Sequence, residues 1–119
     1  DVFSLARRVL DCDFVSVIFP QELPGYCMLI DDDARQNGWG VNAVGTYLFG
    51  HYMEGIPMFG PFLIVRYFTD ERDRKTYSAL SKEDAEHLVS VLDTTIVPKI
   101  SKALKALLKK RNKKQFRVL

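Results

Sequence analysis

The stretch that decides the fold is Pro61-Phe-Leu-Ile-Val-Arg-Tyr-Phe68, a run of apolar, aromatic and β-branched residues broken by one charge. Such residues fit the pleated surface of a sheet, and a nearly continuous apolar run is typical of a strand that is covered on both faces. It carries the strongest strand pattern in the chain. We therefore predict that this segment is a central strand.

Three further strand patterns lie on either side of it. Upstream, Phe14-Val-Ser-Val-Ile-Phe19 predicts a buried strand and Tyr26-Cys-Met-Leu-Ile30 predicts a second one. Leu23-Pro24-Gly25 supplies a turn between the two, so an antiparallel hairpin is their simplest connection. Downstream, the charged residues 69–75 predict a hairpin turn, and a short strand over residues 76–80 follows.

Helical spacing appears in three places. Apolar residues recur every three or four positions in residues 2–10, and again in residues 41–53, where Asn42 is the expected N-cap and a strand is the competing prediction. Ser81-Lys-Glu-Asp84 resembles a capping box and opens a third helix, whose apolar stripe continues beyond Pro98 although that proline must kink it. The fold class is therefore α+β: an antiparallel sheet of about four strands with flanking helices and a long kinked C-terminal helix.

Length and composition indicate one domain. The chain has 119 residues, of which 47% are hydrophobic, and this suffices for a single core. We assign residues 1–98 to a single α+β domain and residues 99–119 to a basic amphipathic C-terminal helix extension. No apolar stretch approaches the roughly 20 residues that cross a bilayer. Cys12 and Cys27 are too few for a disulfide framework, so we expect free thiols in a reducing, cytoplasmic compartment.

Charge is divided sharply at Pro98. Residues 99–119 contain nine Lys and Arg and no acid, whereas residues 1–98 hold the other eight cations and all 15 acids. A cationic segment of this kind attracts polyanions, acidic protein surfaces or anionic membrane. Phosphate contacts from the tail would use Lys105, Lys109, Lys110, Arg111, Lys113 and Lys114.

The same tail carries a second pattern, a seam of apolar residues along the helix. A helix with such a seam needs a partner, and we expect a homodimer in which the terminal helices pair. The seam residues are Ile100, Leu104, Leu107 and Leu108. A solvated linker helix is the alternative for this segment.

Three aromatic or imidazole side chains are candidates for binding a small molecule. Trp39 lies between Gly38 and Gly40, where a flexible indole could cover a pocket, although a packing role in the loop is the favoured interpretation. Tyr47 and His51 lie together on the predicted central helix, where His51 is either a ligand contact, a general base or a packed residue.

Metal and enzyme chemistry have little support in the sequence. Asp31-Asp-Asp33 offers carboxylates without the spacing of a calcium loop, so a solvated turn is favoured. The two His and two Cys residues lack paired zinc-ligand spacing. There is no nucleophile elbow and no phosphate-binding glycine loop, so we expect no enzyme activity, no metal and no cofactor. Catalysis by His51 near Trp39 is the weakest alternative.

Three stretches resemble parts of a GAF domain. They are Leu5 through Phe19, Val44-Gly45 through Gly55-Ile56-Pro57, and Ser81 through Leu88. The resemblance implies a regulatory sensing or dimerisation module of a signalling or transcription-related protein, which binds a small ligand and pairs through its terminal helices. The middle section of that family is longer than here, where Pro57 leads almost directly to Pro61, and this implies a reduced ligand pocket.

Overall fold

One antiparallel sheet forms the centre of the fold. The computed structural model of the chain describes residues 1–50, 54–103 and 105. The sheet has the order β1-β2-β3-β4, so the strand predicted to be central does lie inside it, between β2 and β4. The strands are β1 (Val15–Ile18), β2 (Tyr26–Asp31), β3 (Phe62–Thr69) and β4 (Lys75–Ser78). The predicted class, α+β with an antiparallel sheet, is confirmed.

Strand register divides the side chains of the sheet between two faces. Val17 is opposite Leu29 in the β1–β2 pair, and Cys27 is opposite Val65 in the β2–β3 pair. Because side chains alternate along a strand, these residues share one face. Cys27, Leu29 and Val65 are buried there together with Ala6, and this cluster is the core of the first part of the chain.

The helix α1 (Val2–Leu10) covers that face. The Asp1 side chain caps it by accepting a hydrogen bond from the Ser4 N–H at 2.8 Å, and the helix ends at Asp11, which has φ 50°. α1 packs over β1 and β2. Its Phe3 ring reaches further and meets Tyr77 of β4 edge to face, with the centroids 5.1 Å apart.

One sequence expectation about burial is wrong. β1 was expected to be a buried strand, but it is the edge of the sheet and its residues are only half-buried. The flanking Phe14 and Phe19 are 66% and 42% exposed. Leu5 and Val9 fit the apolar spacing of α1 but are 44% and 59% exposed, because only one side of the helix meets the sheet.

The helix α2 (Ala43–Phe49) begins as the sequence predicts and is shorter than predicted. The Asn42 Oδ1 accepts a hydrogen bond from the Gly45 N–H at 2.8 Å, which is the expected cap. The helix ends at Gly50, whose φ of 88° is left-handed, and not at Met53. Residues 51–53 lie outside the described part of the chain.

The C-terminal helix contains a wide turn just before its proline. It runs as α3 (Lys82–Val91), continues as a π-helical turn over Leu92–Ile96, and is α-helical again in residues 97–103. In a regular helix the Pro98 ring would clash with the carbonyl four residues earlier. The Val97 N–H instead bonds to the Leu92 oxygen, five residues back, so the helix widens just before Pro98, the residue at which the sequence predicts a kink.

The chain divides into two compact units between Ser81 and Lys82. The first unit contains the sheet, α1 and α2, and the second begins with α3. The boundary inferred from charge at Pro98 stays a prediction. Within the described residues, no helix has the length and apolar character needed to span a membrane.

Candidate functional site

An open cleft of about 850 Å³ lies beside Trp39 in the first unit. One wall comes from the last two turns of α1 and the residues that follow it, and the other comes from the loop between β2 and α2. The lining residues are Ser4, Arg7, Arg8, Leu10, Asp11, Cys12, Asp13, Asn37 and Trp39. We call this the Trp39 cleft.

The loop that carries Trp39 is held by its own hydrogen bonds. Asp31, only 3% exposed at the end of β2, accepts a bond from the Asp33 N–H at 2.9 Å and another from the Asn37 Nδ2 at 2.8 Å. The backbone N–H of Trp39 donates a hydrogen bond to the Ala34 carbonyl at 3.1 Å. The buried carboxylate therefore organises the loop, and the solvated turn expected for Asp31 is wrong at this residue.

A second set of contacts holds the base of the Trp39 side chain, that is, its Cβ and Cγ atoms. The Gly60 N–H donates to the Gly40 carbonyl at 3.0 Å, and the Asn42 Nδ2 donates to the Gly60 carbonyl at 2.9 Å. Gly60 has a φ of +80°, and a Cβ placed on it would lie 3.1 Å from the Ala34 Cβ and 3.2 Å from the Trp39 Cγ. Trp39 is thus packed at its base, in line with the packing role that the sequence favours over a flexible cover.

The outer part of the indole is available to a ligand. Trp39 is 46% exposed, and it shares the cleft with the exposed side chains of Arg7 and Arg8. The Arg7 Nη2 donates to the Ser4 Oγ at 3.1 Å, which orients the guanidinium on the helix surface. A flat π surface beside two cations is suited to a ring that carries negative charge.

Carboxylates and a thiol complete the cleft. Asp11 and Asp13 are exposed there and balance the two arginines, and they can accept hydrogen bonds from a polar ligand. Burial raises the pKa of the Cys12 thiol, and Asp31 and Asp13 raise it further. Because Cys12 therefore keeps its proton at neutral pH, the cleft is equipped for binding and offers no thiolate nucleophile.

The other two proposed ligand residues lie elsewhere. Tyr47 lines a separate cleft of about 320 Å³ beside Phe19 and Phe49, and its hydroxyl donates to the Glu22 Oε1. Trp39 and Tyr47 therefore belong to different clefts. His51 lies outside the described residues, as do the two residues that follow it.

The tail residues are described only in part. Lys105 is exposed, and the other proposed polyanion contacts, Lys109, Lys110, Arg111, Lys113 and Lys114, lie outside the described residues. In the apolar seam Ile100 is 9% exposed, which leaves it little surface for a second copy. The remaining seam residues Leu104, Leu107 and Leu108 also lie outside the described part.

The sequence signals for this site were unequal in strength. The glycine neighbours of Trp39 indicate that residue, whereas no motif in the sequence marks Arg7 and Arg8 as parts of a site. Asp31 was missed because three consecutive acids look alike, although only Asp31 ends an apolar strand. Across residues 1–50, 54–103 and 105, no three His, Cys, Asp or Glu side chains cluster as metal ligands would.

Comparisons with protein-family models, with curated proteins and with solved structures find no match for this chain.

Proposed function

We propose that this chain is a regulatory module that binds a small ring-bearing ligand in the Trp39 cleft and pairs with a second copy through its terminal helices. The observation that carries the ligand part is an exposed indole whose base is packed on Gly60, beside the basic last turns of α1. A site that is ordered before binding loses less entropy when the ligand arrives.

The ligand class follows from the lining. The Trp39 face stacks on a flat ring, Arg7 and Arg8 attract an anionic group, and Asn37, Asp11 and Asp13 provide polar contacts that fix orientation. A heterocyclic ring joined to a phosphate or carboxylate meets all three requirements. The resemblance to GAF domains supports the same type of function, since it also implies a small-molecule sensor that dimerises.

The first experiment uses Trp39 as its own reporter, because the chain contains one Trp. Intrinsic fluorescence is recorded while adenosine, adenosine monophosphate or inorganic phosphate is added to the full chain. We expect the monophosphate to quench the emission at lower concentration than adenosine, and phosphate alone to act weakly. No change with any of the three probes would contradict this ligand class.

Matched variants locate the binding. Arg7→Gln and Arg8→Gln should weaken the monophosphate about tenfold each and leave adenosine nearly unchanged, since one charge-assisted hydrogen bond is worth about 1.4 kcal/mol or more. Tyr47→Phe is the control, because Tyr47 lines the other cleft. Equal weakening by Tyr47→Phe would place the ligand outside the Trp39 cleft.

A second candidate function is favoured by the charge division at Pro98. Nine cations without an acid in residues 99–119 are suited to phosphate contacts that do not depend on base sequence. Fluorescence anisotropy with labelled duplex DNA would show binding that weakens steeply with salt. Replacing Lys109, Lys110, Lys113 and Lys114 by Gln should lower the salt slope by about one for each lysine that binds a phosphate. An unchanged slope would reject this function.

A further inference from the structure

Asn37, which lines the Trp39 cleft, has a side-chain amide that is held in one orientation. Its Nδ2 donates to the Asp31 Oδ2 at 2.8 Å, and its backbone N–H donates to the Asp33 carbonyl at 2.9 Å. A carboxylate accepts hydrogen bonds and donates none, so the amide must keep its nitrogen toward Asp31. Rotating the amide by half a turn would place two acceptor oxygens against each other.

The burial of Asp31 makes this orientation costly to change. Asp31 is only 3% exposed, and its other oxygen, Oδ1, accepts from the Asp33 N–H at 2.9 Å. A buried carboxylate is stabilised by the hydrogen bonds that it accepts, and losing one leaves an oxygen that is neither solvated nor bonded. Asp31 therefore locks the amide of Asn37, although Asn37 itself is exposed.

The locked orientation decides which polar atom Asn37 offers to a ligand. With the nitrogen held against Asp31, the side-chain oxygen Oδ1 is turned away from that carboxylate. None of the described residues donates a hydrogen bond to this oxygen. Asn37 lies two residues before Trp39 and lines the same cleft, so the amide oxygen and the indole belong to one binding surface.

The charged groups of the cleft divide into donors and acceptors. Asp11 and Asp13 are carboxylates and can only accept. The strongest donors, Arg7 and Arg8, bind the anionic group in the function proposed above. A ring that stacks on Trp39 therefore meets acceptors that favour N–H groups on its edge.

We propose that Asn37 selects a ring that carries an amino group over the same ring with a carbonyl oxygen in that place. This inference rests on the function proposed above and adds the substituent of the ring. An amino N–H donates to the Asn37 Oδ1, whereas a carbonyl oxygen would face another acceptor. Asparagine recognises adenine through the same amino group in protein–DNA complexes. Among purine nucleotides, adenosine monophosphate fits this site and inosine monophosphate is disfavoured.

The first test compares these two nucleotides on the full chain by Trp39 fluorescence. They share the ribose and the phosphate, and they differ at the end of the purine that carries the amino group or the carbonyl oxygen. We expect inosine monophosphate to require at least about a tenfold higher concentration for half-maximal quenching, since it leaves acceptors unpaired. Equal concentrations would overturn the selection by Asn37 and leave the ligand class standing. No response to either nucleotide would overturn both.

Asp31→Asn tests the lock, because it replaces one acceptor oxygen by a donor at nearly constant size. The Asp33 N–H only donates, so the new amide must keep its oxygen there and turn its nitrogen toward Asn37. The Asn37 amide then reverses and presents its Nδ2 to the ligand. We expect the ratio of the two affinities to shift toward inosine monophosphate by at least about tenfold. An unchanged ratio would overturn the proposal.

Asn37→Ala provides a second variant, with the affinity ratio again as the readout because loosening of the loop would weaken both nucleotides alike. Removing the amide should bring the ratio close to one. Gln36→Ala is the matched control, since Gln36 is an exposed neighbouring amide that does not line the cleft. The control should keep the preference for adenosine monophosphate. A preference that survives Asn37→Ala, or that is lost equally in Gln36→Ala, would overturn the proposal.

Discussion

At the scale of single residues, Gly60 determines how firmly the Trp39 loop is held. Its φ of +80° is costly for any side chain, and a Cβ there would press on the Trp39 Cγ and the Ala34 Cβ. We expect Gly60→Ala to lower the free energy of unfolding by about 2–3 kcal/mol, of which about 1 kcal/mol is the backbone cost. Urea unfolding followed by Trp39 fluorescence measures it.

A matched glycine separates the two parts of that cost. Gly38 has a φ of +86°, nearly the same as Gly60, but a Cβ on it would meet nothing within 4 Å. Gly38→Ala should therefore show the backbone cost alone and leave the Trp39 emission spectrum unchanged. Equal decreases of stability in the two variants would mean that the contact with Trp39 is unimportant.

Cys27 makes stability depend on alkaline pH. Complete burial raises the pKa of its thiol from 9.0 to about 11, so the folded chain keeps this proton after the unfolded chain has released it. The stabilisation is fully present below pH 9 and declines progressively as the pH rises toward 11, by up to roughly 2–3 kcal/mol. The free energies of unfolding of the wild type and of Cys27→Ala should therefore converge as the pH rises from 9 to 11. A constant difference between them over that range would contradict this prediction.

At the scale of elements, Asn42 joins α2 to the segment before β3. Its Oδ1 caps the helix by accepting from the Gly45 N–H, and its Nδ2 donates to the Gly60 carbonyl. Asn42→Ala removes both bonds and should cost about 2 kcal/mol. Asn42→Asp keeps the acceptor and removes the donor, so we expect about half that decrease in thermal unfolding. An equal decrease in both variants would show that the cap contributes nothing.

The elements that the sequence predicted well are those with local signals. The cap at Asn42 and the β3 strand depend on residues that are adjacent in the chain, and both are confirmed. Position within the sheet is not local: Phe14 and Phe19 look like core residues, and only the strand order makes β1 an edge. The role of Asp31 depends on Asn37 folding back to it, which no spacing rule reveals.

At the scale of the whole molecule, α1 belongs to both parts of the proposed function. Its Arg7 and Arg8 line the Trp39 cleft, while its exposed Leu5 and Val9 are available to the proposed pairing of terminal helices. A small shift of this one helix would therefore change both surfaces together, and coupling between two binding sites is reciprocal.

This link gives a prediction that combines the two parts of the proposed function. A ligand that binds the Trp39 cleft should change the dimer dissociation constant. Because a dimer has two such clefts, this change should be the square of the factor by which dimerisation changes the ligand affinity of each cleft. Sedimentation with and without saturating adenosine monophosphate measures the first quantity, and Trp39 titrations at low and high protein concentration measure the second. A dimer dissociation constant that saturating ligand leaves unchanged would contradict this coupling.

The π-helical turn over Leu92–Ile96 sets the phase of the C-terminal helix. The buried residues of this helix, Leu88, Ile96 and Ile100, are separated by multiples of four residues. In a regular α-helix a step of four residues rotates about 40° further than one full turn. Over twelve residues that drift would carry Ile100 about a third of the way around the helix from Leu88. A π-helical turn has more residues per turn than an α-helix, so it offsets this excess rotation. The buried residues before and after Pro98 therefore stay on one side of the helix.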